Sequence, residues 1–401
     1  MKVVDPTTPE ALADRPAFYN WMRENCPVAR VENQGGDHFL VSGYDAVKQV
    51  LTDNEHFTKE WGSQLAPMER GIALNQDSPD FSAFKAMYNG YMSPNGVKRW
   101  RADAQRIANE LVDRLDPMGS GDLQDLFGKP LPARVAAVAL GFPEDPVDKY
   151  RKWTDSFLSA MIQDPAEQQR IIAEIYAFFD EQFDRMRGLL KAAGVTEPAP
   201  EHVGTVLPDC LTAVLMTSKF QDRYLTNDEL RRTIRGFFIG GVDTTGALIL
   251  NVLHELLKQG LWDKIVADPS LIPAAIEESL RYEPPTIGMF RGVKCPVSMA
   301  GETLPEGSRV LFSLYGANRD PSRFDDPDTF RLDRKMSSEG FHISFGSGDH
   351  FCPGAWTARM EAVSAIEILA KRLPKLRLTG PVTYFDVVNF YVVRTFPAAW
   401  D

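Results

Sequence analysis

The stretch Phe345-Gly346-Ser347-Gly348-Asp349-His350-Phe351-Cys352-Pro353-Gly354 decides how this chain is read. Gly346 and Gly348 admit positive φ, so the backbone can fold back tightly and let Phe345 and Phe351 flank whatever the loop encloses. Pro353 suits the first helical position, and a helical pattern runs from Ala355 to Arg372. Cys352 is therefore expected at or beside a helix N-terminus, where the dipole and free N–H groups favour thiolate over thiol. A thiolate in a glycine loop walled by aromatic rings is a ligand for a soft or borderline metal. For an isolated cysteine the alternative is a buried structural thiol in a turn. The spacing of its neighbours argues against that alternative.

Outward from the loop, the totals bound the possibilities. A chain of 401 residues with 44% apolar content holds one large domain or two ordinary ones. A net charge of -11 argues against a nucleic-acid binder. Cysteines 26, 210, 295 and 352 are far apart with no CxxC, which suggests neither a zinc site nor a disulfide framework. The opening MKVVDPTTPEALADRP has no apolar run, and no later run of 18 apolar residues exists, so a soluble cytoplasmic protein is expected.

Residues 9–25 read as an amphipathic helix, followed by strands over Val28–Glu32 and His38–Ser42 joined through Gln34-Gly35-Gly36-Asp37. Tyr44–Leu51 is helical, and Thr58–Asp77 reads as a long loop, a length that usually carries function. Helices then dominate, at about 79–91, 94–116, 132–141, 145–161, 166–194 and 205–218. Lys98, Arg99, Arg101 and Arg106 form a basic cluster in an acidic chain, either a solvated helix face or a docking patch.

Thr226-Asn227-Asp228-Glu229 is a capping box opening a helix that runs to about Gln259 and stops at Gly260. Gly236, Gly240, Gly241 and Gly246 lie inside it, each costing about 1 kcal/mol relative to alanine. Close packing and threonine back-bonding account for glycines and hydroxyls. They do not account for Asp243 beside Thr244 and Thr245 in a segment that wants burial. Space cleared for a planar ligand, with a loosened backbone that admits water and a proton relay through Asp243 and Thr244, accounts for all of them. Glu278 and Arg281 share a helix face at i, i+3 ahead of the helix-breaking Glu283-Pro284-Pro285, with strand-like runs at Val293–Met299 and Val310–Leu314 beyond. His38, His56, His202, His254 and His342 show no ligand spacing.

Three motifs in this order, F-G-x-G-x-H-x-C-x-G at 345–354, G-G-V-D-T-T at 240–245 and E-x-x-R at 278–281 with Asn318-Arg319-Asp320-Pro321 and Arg334 following, resemble the cytochrome P-450 family. The resemblance covers the chain from about residue 15 to the end. It implies a mainly α fold with small β-sheets, a single domain over 1–401, and one haem b ligated by Cys352 and bordered by Phe345, Gly346 and Gly240. It implies that Asp243 and Thr244 deliver protons to dioxygen, since members that use peroxide directly tend to lack this pair. Glu278 and Arg281 become structural, joined by a meander arginine. Arg291, ten residues past Arg281, and His350 become propionate partners. The family's His-x-x-x-Arg pair near residue 80 is replaced by Phe81 and Lys85, of which only Lys85 can meet a propionate, as a point charge.

The implied activity is insertion of one oxygen atom from O2 into a small, neutral hydrophobic substrate, terpenoid, aromatic or steroid-like, with electrons from a ferredoxin or flavodoxin. Phe237, Gly240, Thr286, Ile287, Met289 and Val388 are the expected pocket residues, with Arg70 in the long loop as a cation that could swing in. A non-catalytic haem-binding sensor is the alternative, one that would keep Cys352 but have no use for Asp243 and Thr244.

Overall fold

The computed structural model describes residues 1–32, 36–65, 75–145, 147–160, 165–336, 341–385 and 387–401. Its longest element is the helix Asn227–Lys258, opened by the expected capping box. The Glu229 N–H donates to Thr226 Oγ1 at 3.3 Å, and Glu229 Oε2 accepts from the Thr226 N–H at 2.8 Å. The helix is long and apolar enough to cross a membrane, yet 67% of its most apolar window is buried inside the protein. It is a core helix. Around it pack the helices Pro130–Leu140, Ile272–Tyr282 and Ala355–Arg372, with Arg101–Leu115 behind the last.

Its glycines divide between the two explanations. A Cβ on Gly246 would lie 2.4 Å from the Gly128 carbonyl oxygen, so this glycine exists for backbone contact with the turn Gln124–Gly128. A Cβ on Gly240 or Gly241 would meet nothing within 4 Å. Those two face open space.

A six-stranded sheet stands beside the helices, in the order Val3–Val4, Val28–Val31, His38–Val41, Arg309–Ser313, Gly288–Val293, Phe57–Thr58. The hairpin pairs antiparallel, with Val28 opposite Val41, and its second strand runs parallel to Arg309–Ser313. Two expected elements are broken where capping or proline intervenes. Residues 9–25 form two helices, Pro9–Ala13 and Arg15–Asn25, because Asp14 leaves helical geometry and its carboxylate accepts the Ala17 N–H at 3.0 Å. The expected strand Val293–Met299 is the end of Gly288–Val293 plus a separate Val297–Met299, with Pro296, which has no N–H for a ladder, between them. The helix expected from 205 begins only at Leu211, where Cys210 Sγ accepts the Ala213 N–H.

The Glu278–Arg281 pair is fully buried and belongs to a network with Arg334 and the meander backbone. Glu278 takes two hydrogen bonds from Arg281, at 2.7 and 2.9 Å, and two from Arg334 Nε, at 3.0 and 3.1 Å. Arg281 also donates to the carbonyls of Asn318, Pro327 and Thr329. The helix is thereby locked to the meander leading into the cysteine loop.

Two substitutions test these contacts by chemical denaturation. Gly246→Val overpacks the Gly128 contact and should cost about 1–3 kcal/mol. Glu278→Gln leaves two guanidinium groups facing each other without an anion and should cost about 3–5 kcal/mol.

Candidate active site around Cys352 and the gapped helix

The cysteine loop has the expected geometry. Gly346 and Gly348 take φ of +76° and +71°, a region that disfavours any side chain. The Cys352 N–H donates to the Phe345 carbonyl at 2.9 Å and Gly346 N–H to Ile343 O at 2.8 Å, which closes the turn, and the Phe345 and Phe351 ring centroids lie 6.3 Å apart. The helix spans Ala355–Arg372, as the pattern predicts, with Gly354 as its N-cap, so Pro353 lies two residues ahead of the first helical position. Cys352 thus precedes the helix rather than capping it. Burial pushes its thiol up, against the opposing pull of the Gly354 N–H and of Lys59, Arg359 and Lys85. In the protein alone, desolvation outweighs the dipole, and it is a cation on sulfur that would favour the thiolate.

A second acidic residue, Glu277, anchors the cysteine helix, and sequence reasoning passed over it beside Glu278. Its carboxylate accepts from Arg359 at 2.6 and 2.9 Å and faces His342 Nε2 at 3.0 Å. Burial raises its pKa, but those two partners outweigh it and hold the carboxyl at about 2. The Arg359 guanidinium lies 4.5 Å from the Phe345 ring centroid. Neighbouring carboxylates on one helix therefore grip the meander and the cysteine helix separately.

On the long helix, Thr244 donates its hydroxyl to the Gly240 carbonyl at 2.5 Å. Asp243 is buried at 6% exposure, and the open space at Gly240 and Gly241 lies within the same turn. Phe237 is half-buried and edge-on to Tyr88, at a centroid distance of 5.1 Å. Thr286 bridges to Phe390, and Ile287 N–H donates to Asn389 O at 2.8 Å, so the two expected pocket segments 286–290 and 388–391 meet through their backbones. Ile287 is 2% exposed and packs with Phe290 and Leu311 in the sheet's core, Val388 lies against the same cluster, and Met289 packs against a different one. Arg70 lies outside the described residues.

The cations gather where the loop, the sheet edge and the helix Asp80–Asn89 meet. Arg291 is buried in the strand Gly288–Val293, and burial lowers its pKa to about 10. Lys85 Nζ donates to the Asp349 carbonyl at 2.7 Å, and Phe81 stacks on the His350 ring at 4.0 Å. His350 Nδ1 is buried without a hydrogen-bond partner among the described residues. Burial and the nearby cations Lys59, Arg291 and Lys85 push the imidazole down to about 2, so it is neutral here.

The basic cluster at 98–106 is largely spent within the chain. Arg99 pairs with Asp209, Arg101 with Glu367 at 3.4 Å, and Arg106 with Asp103, Glu110 and Glu144. Lys98 donates to Asn95 Oδ1 at 2.9 Å. The histidine reading also changes. Ligand atoms of His254, Glu255 and Glu283 lie within 4.8 Å of one another, a grouping made by folding and invisible in the spacing.

The family model for cytochrome P-450 matches residues 14–260 and 265–372. The chain is 32% identical over 404 residues to the cytochrome P-450 monooxygenase PikC of Streptomyces venezuelae, covering 97% of this chain and 91% of that one. It is 31% identical over 375 residues to the mycinamicin IV hydroxylase/epoxidase of Micromonospora griseorubida, covering 91% and 89%. The crystal structure of CYP109E1 from Bacillus megaterium in complex with testosterone superposes with a TM-score of 0.80 at 26% identity, covering 96% of this chain and 99% of that one. The chain belongs to the cytochrome P-450 family. It is an oxidoreductase whose family binds haem iron, O2, a redox partner and hydrophobic substrates.

The residues fit that cofactor. A half-buried thiol available to iron, open space over Gly240 and Gly241, and the cations Lys59, Lys85 and buried Arg291 beside an unsatisfied imidazole nitrogen suit a flat metal complex carrying two carboxylates. With carbon monoxide, the reduced protein should show a strongly red-shifted Soret band, and Cys352→His should move it to the imidazole-ligated position. A band that stays in place in the variant removes Cys352 from the iron.

Proposed function

We propose that the protein is a dioxygen-dependent monooxygenase that inserts one oxygen atom into a small, neutral, steroid-like hydrophobic substrate. The observation that carries this reading is the Gly240–Thr244 turn, where glycines leave space that no side chain fills, the Thr244 hydroxyl sits on the Gly240 carbonyl and a buried carboxylate, Asp243, lies next to it in the chain. A sensor needs neither group. When bound, the haem supplies an iron whose thiolate ligand promotes O–O cleavage.

Cys352 is the residue that would hold that iron. Thr244 Oγ1 holds its proton on the Gly240 carbonyl and can swing it toward the open space, with the buried Asp243 carboxylate, next in the chain, as the acid that would resupply it. Phe237, Met289 and Val388 are half-buried and apolar, each against a different core cluster, and with the Thr286 hydroxyl they are a set that suits a neutral substrate. The testosterone complex of the structural relative supports the steroid-like class.

Electrons arrive from an acidic ferredoxin- or flavodoxin-type donor at the face of the cysteine loop. The turn Gly96–Trp100 packs against the cysteine helix and brings Lys98 and the adjoining Arg101 to that side. Trp356 and Phe341, 40% and 59% exposed, add apolar contact there. The four cysteines are free, which suits a reducing cytoplasm.

Turnover with testosterone as probe and a surrogate ferredoxin system tests the proton assignment. Thr244→Ala should keep consuming O2 while yielding several-fold less hydroxylated product, and Asp243→Asn should slow O2 consumption about a hundredfold. Normal coupling and rate in both variants would overturn it.

A further inference from the structure

We propose that Lys59 is a haem-propionate anchor, supplied from the sheet edge in place of the imidazole and guanidinium that the helix Asp80–Asn89 lacks. The inference rests on membership of the family, which brings the haem, and concerns a residue outside the motifs that identify it.

Strand register carries the argument first. Phe57–Thr58 pairs antiparallel with Gly288–Val293, placing Phe57 opposite Val293 and Thr58 opposite Gly292. The ladder ends there: Lys59 opens a turn, its carbonyl accepting the Gly62 N–H at 2.9 Å, and the chain rejoins the strand where the Phe290 N–H donates to the Ser63 carbonyl at 3.0 Å, so Lys59 leaves the sheet edge between the points that meet Gly292 and Phe290. Lys59 is held at that position by its own N–H, which donates to Asp77 Oδ1 at 3.0 Å. A Cβ on Gly292 would lie 2.0 Å from the Trp61 ring, so the chain just past Lys59 is pressed against the same strand.

Charge carries it second. Half-buried Lys59 and Lys85 and buried Arg291 converge on one region, although like charges brought together out of water repel. Asp77 acts on both Lys59 and Arg291, and Lys85 is bound to the Asp349 carbonyl and feels the Asp349 charge. Burial, with Arg291 next, lowers the Lys59 ammonium to about 7 against the pull of Cys352 and Asp77. A cluster so arranged is relieved by a dianion, and two propionates are one.

The local substitutions complete the case. Phe81 lies flat on His350 where the family places a donor, and Lys85 is turned to the loop carbonyl. That helix offers neither an imidazole nor a guanidinium, its one cation is bound to the loop, and a further cation, Lys59, stands just past the pairing of Thr58 with Gly292.

The test uses the holoenzyme and follows haem transfer to excess apomyoglobin together with the reduction potential of the iron. Lys59→Met should release haem about tenfold faster and lower the potential, because a cation that opposes the ferric charge is gone. Lys59→Arg should restore both. In a Phe81→His, Lys85→Arg background, Lys59→Met should have little effect. Reconstitution with haem dimethyl ester, whose propionates carry no charge, should abolish the difference between the parent and Lys59→Met. Unchanged transfer and potential in Lys59→Met, or a difference that survives esterification, would overturn the assignment. The carbon monoxide band of the parent reports on Cys352 independently, so failure of the ligand assignment and failure of this one are separable.

Discussion

Glu278 holds the proximal half of this molecule together, because a carboxylate with no access to water must be answered by charge and hydrogen bonds. Two arginines answer it, and each spends its remaining donors on main-chain carbonyls of a stretch with little regular structure. That stretch, 318–334, could not otherwise satisfy its backbone where it runs beneath the helices. The meander is thereby ordered by side chains rather than by secondary structure, and the cysteine loop that follows inherits its position. Glu277, one residue earlier and on another face, grips Arg359 and so fixes the helix that follows the loop. The thiol is held from both sides by adjacent acids.

The long helix solves the opposite problem. Most of it is buried and wants continuous apolar packing, while one turn must leave room for a cofactor. Gly246 serves the packing, with its backbone against the Gly128 carbonyl. Gly240 and Gly241 serve the space, and the Thr244 hydroxyl bonds to the carbonyl four residues back within an uninterrupted helix. Helix propensity is surrendered within one short segment for two separate reasons.

Much of this was legible from residue order. The capping box at Thr226 and Glu229, the glycines of the cysteine loop and the Glu278–Arg281 pair act over three or four residues, a range in which backbone geometry leaves few choices. The helix break at Asp14 and the strand break at Pro296 were equally local, but there a continuous apolar pattern masked a cap and a missing N–H. The basic cluster at 98–106 was only partly legible, for another reason. Its charges look unspent until Asp209, Glu144 and Glu367 arrive from elsewhere in the chain.

The amino-acid order alone determined the class of chemistry, since a thiol between tight glycine turns and an acid beside a hydroxyl in a buried helix are written in contiguous residues. Only the tertiary structure decided which side chains surround the cofactor's carboxylates. Lys59 and Arg291 are 232 positions apart, and each lies one residue from a paired position, Thr58 opposite Gly292, while His254 meets Glu283 across two helices. Such encounters depend on register and packing between distant segments, and no local pattern encodes them.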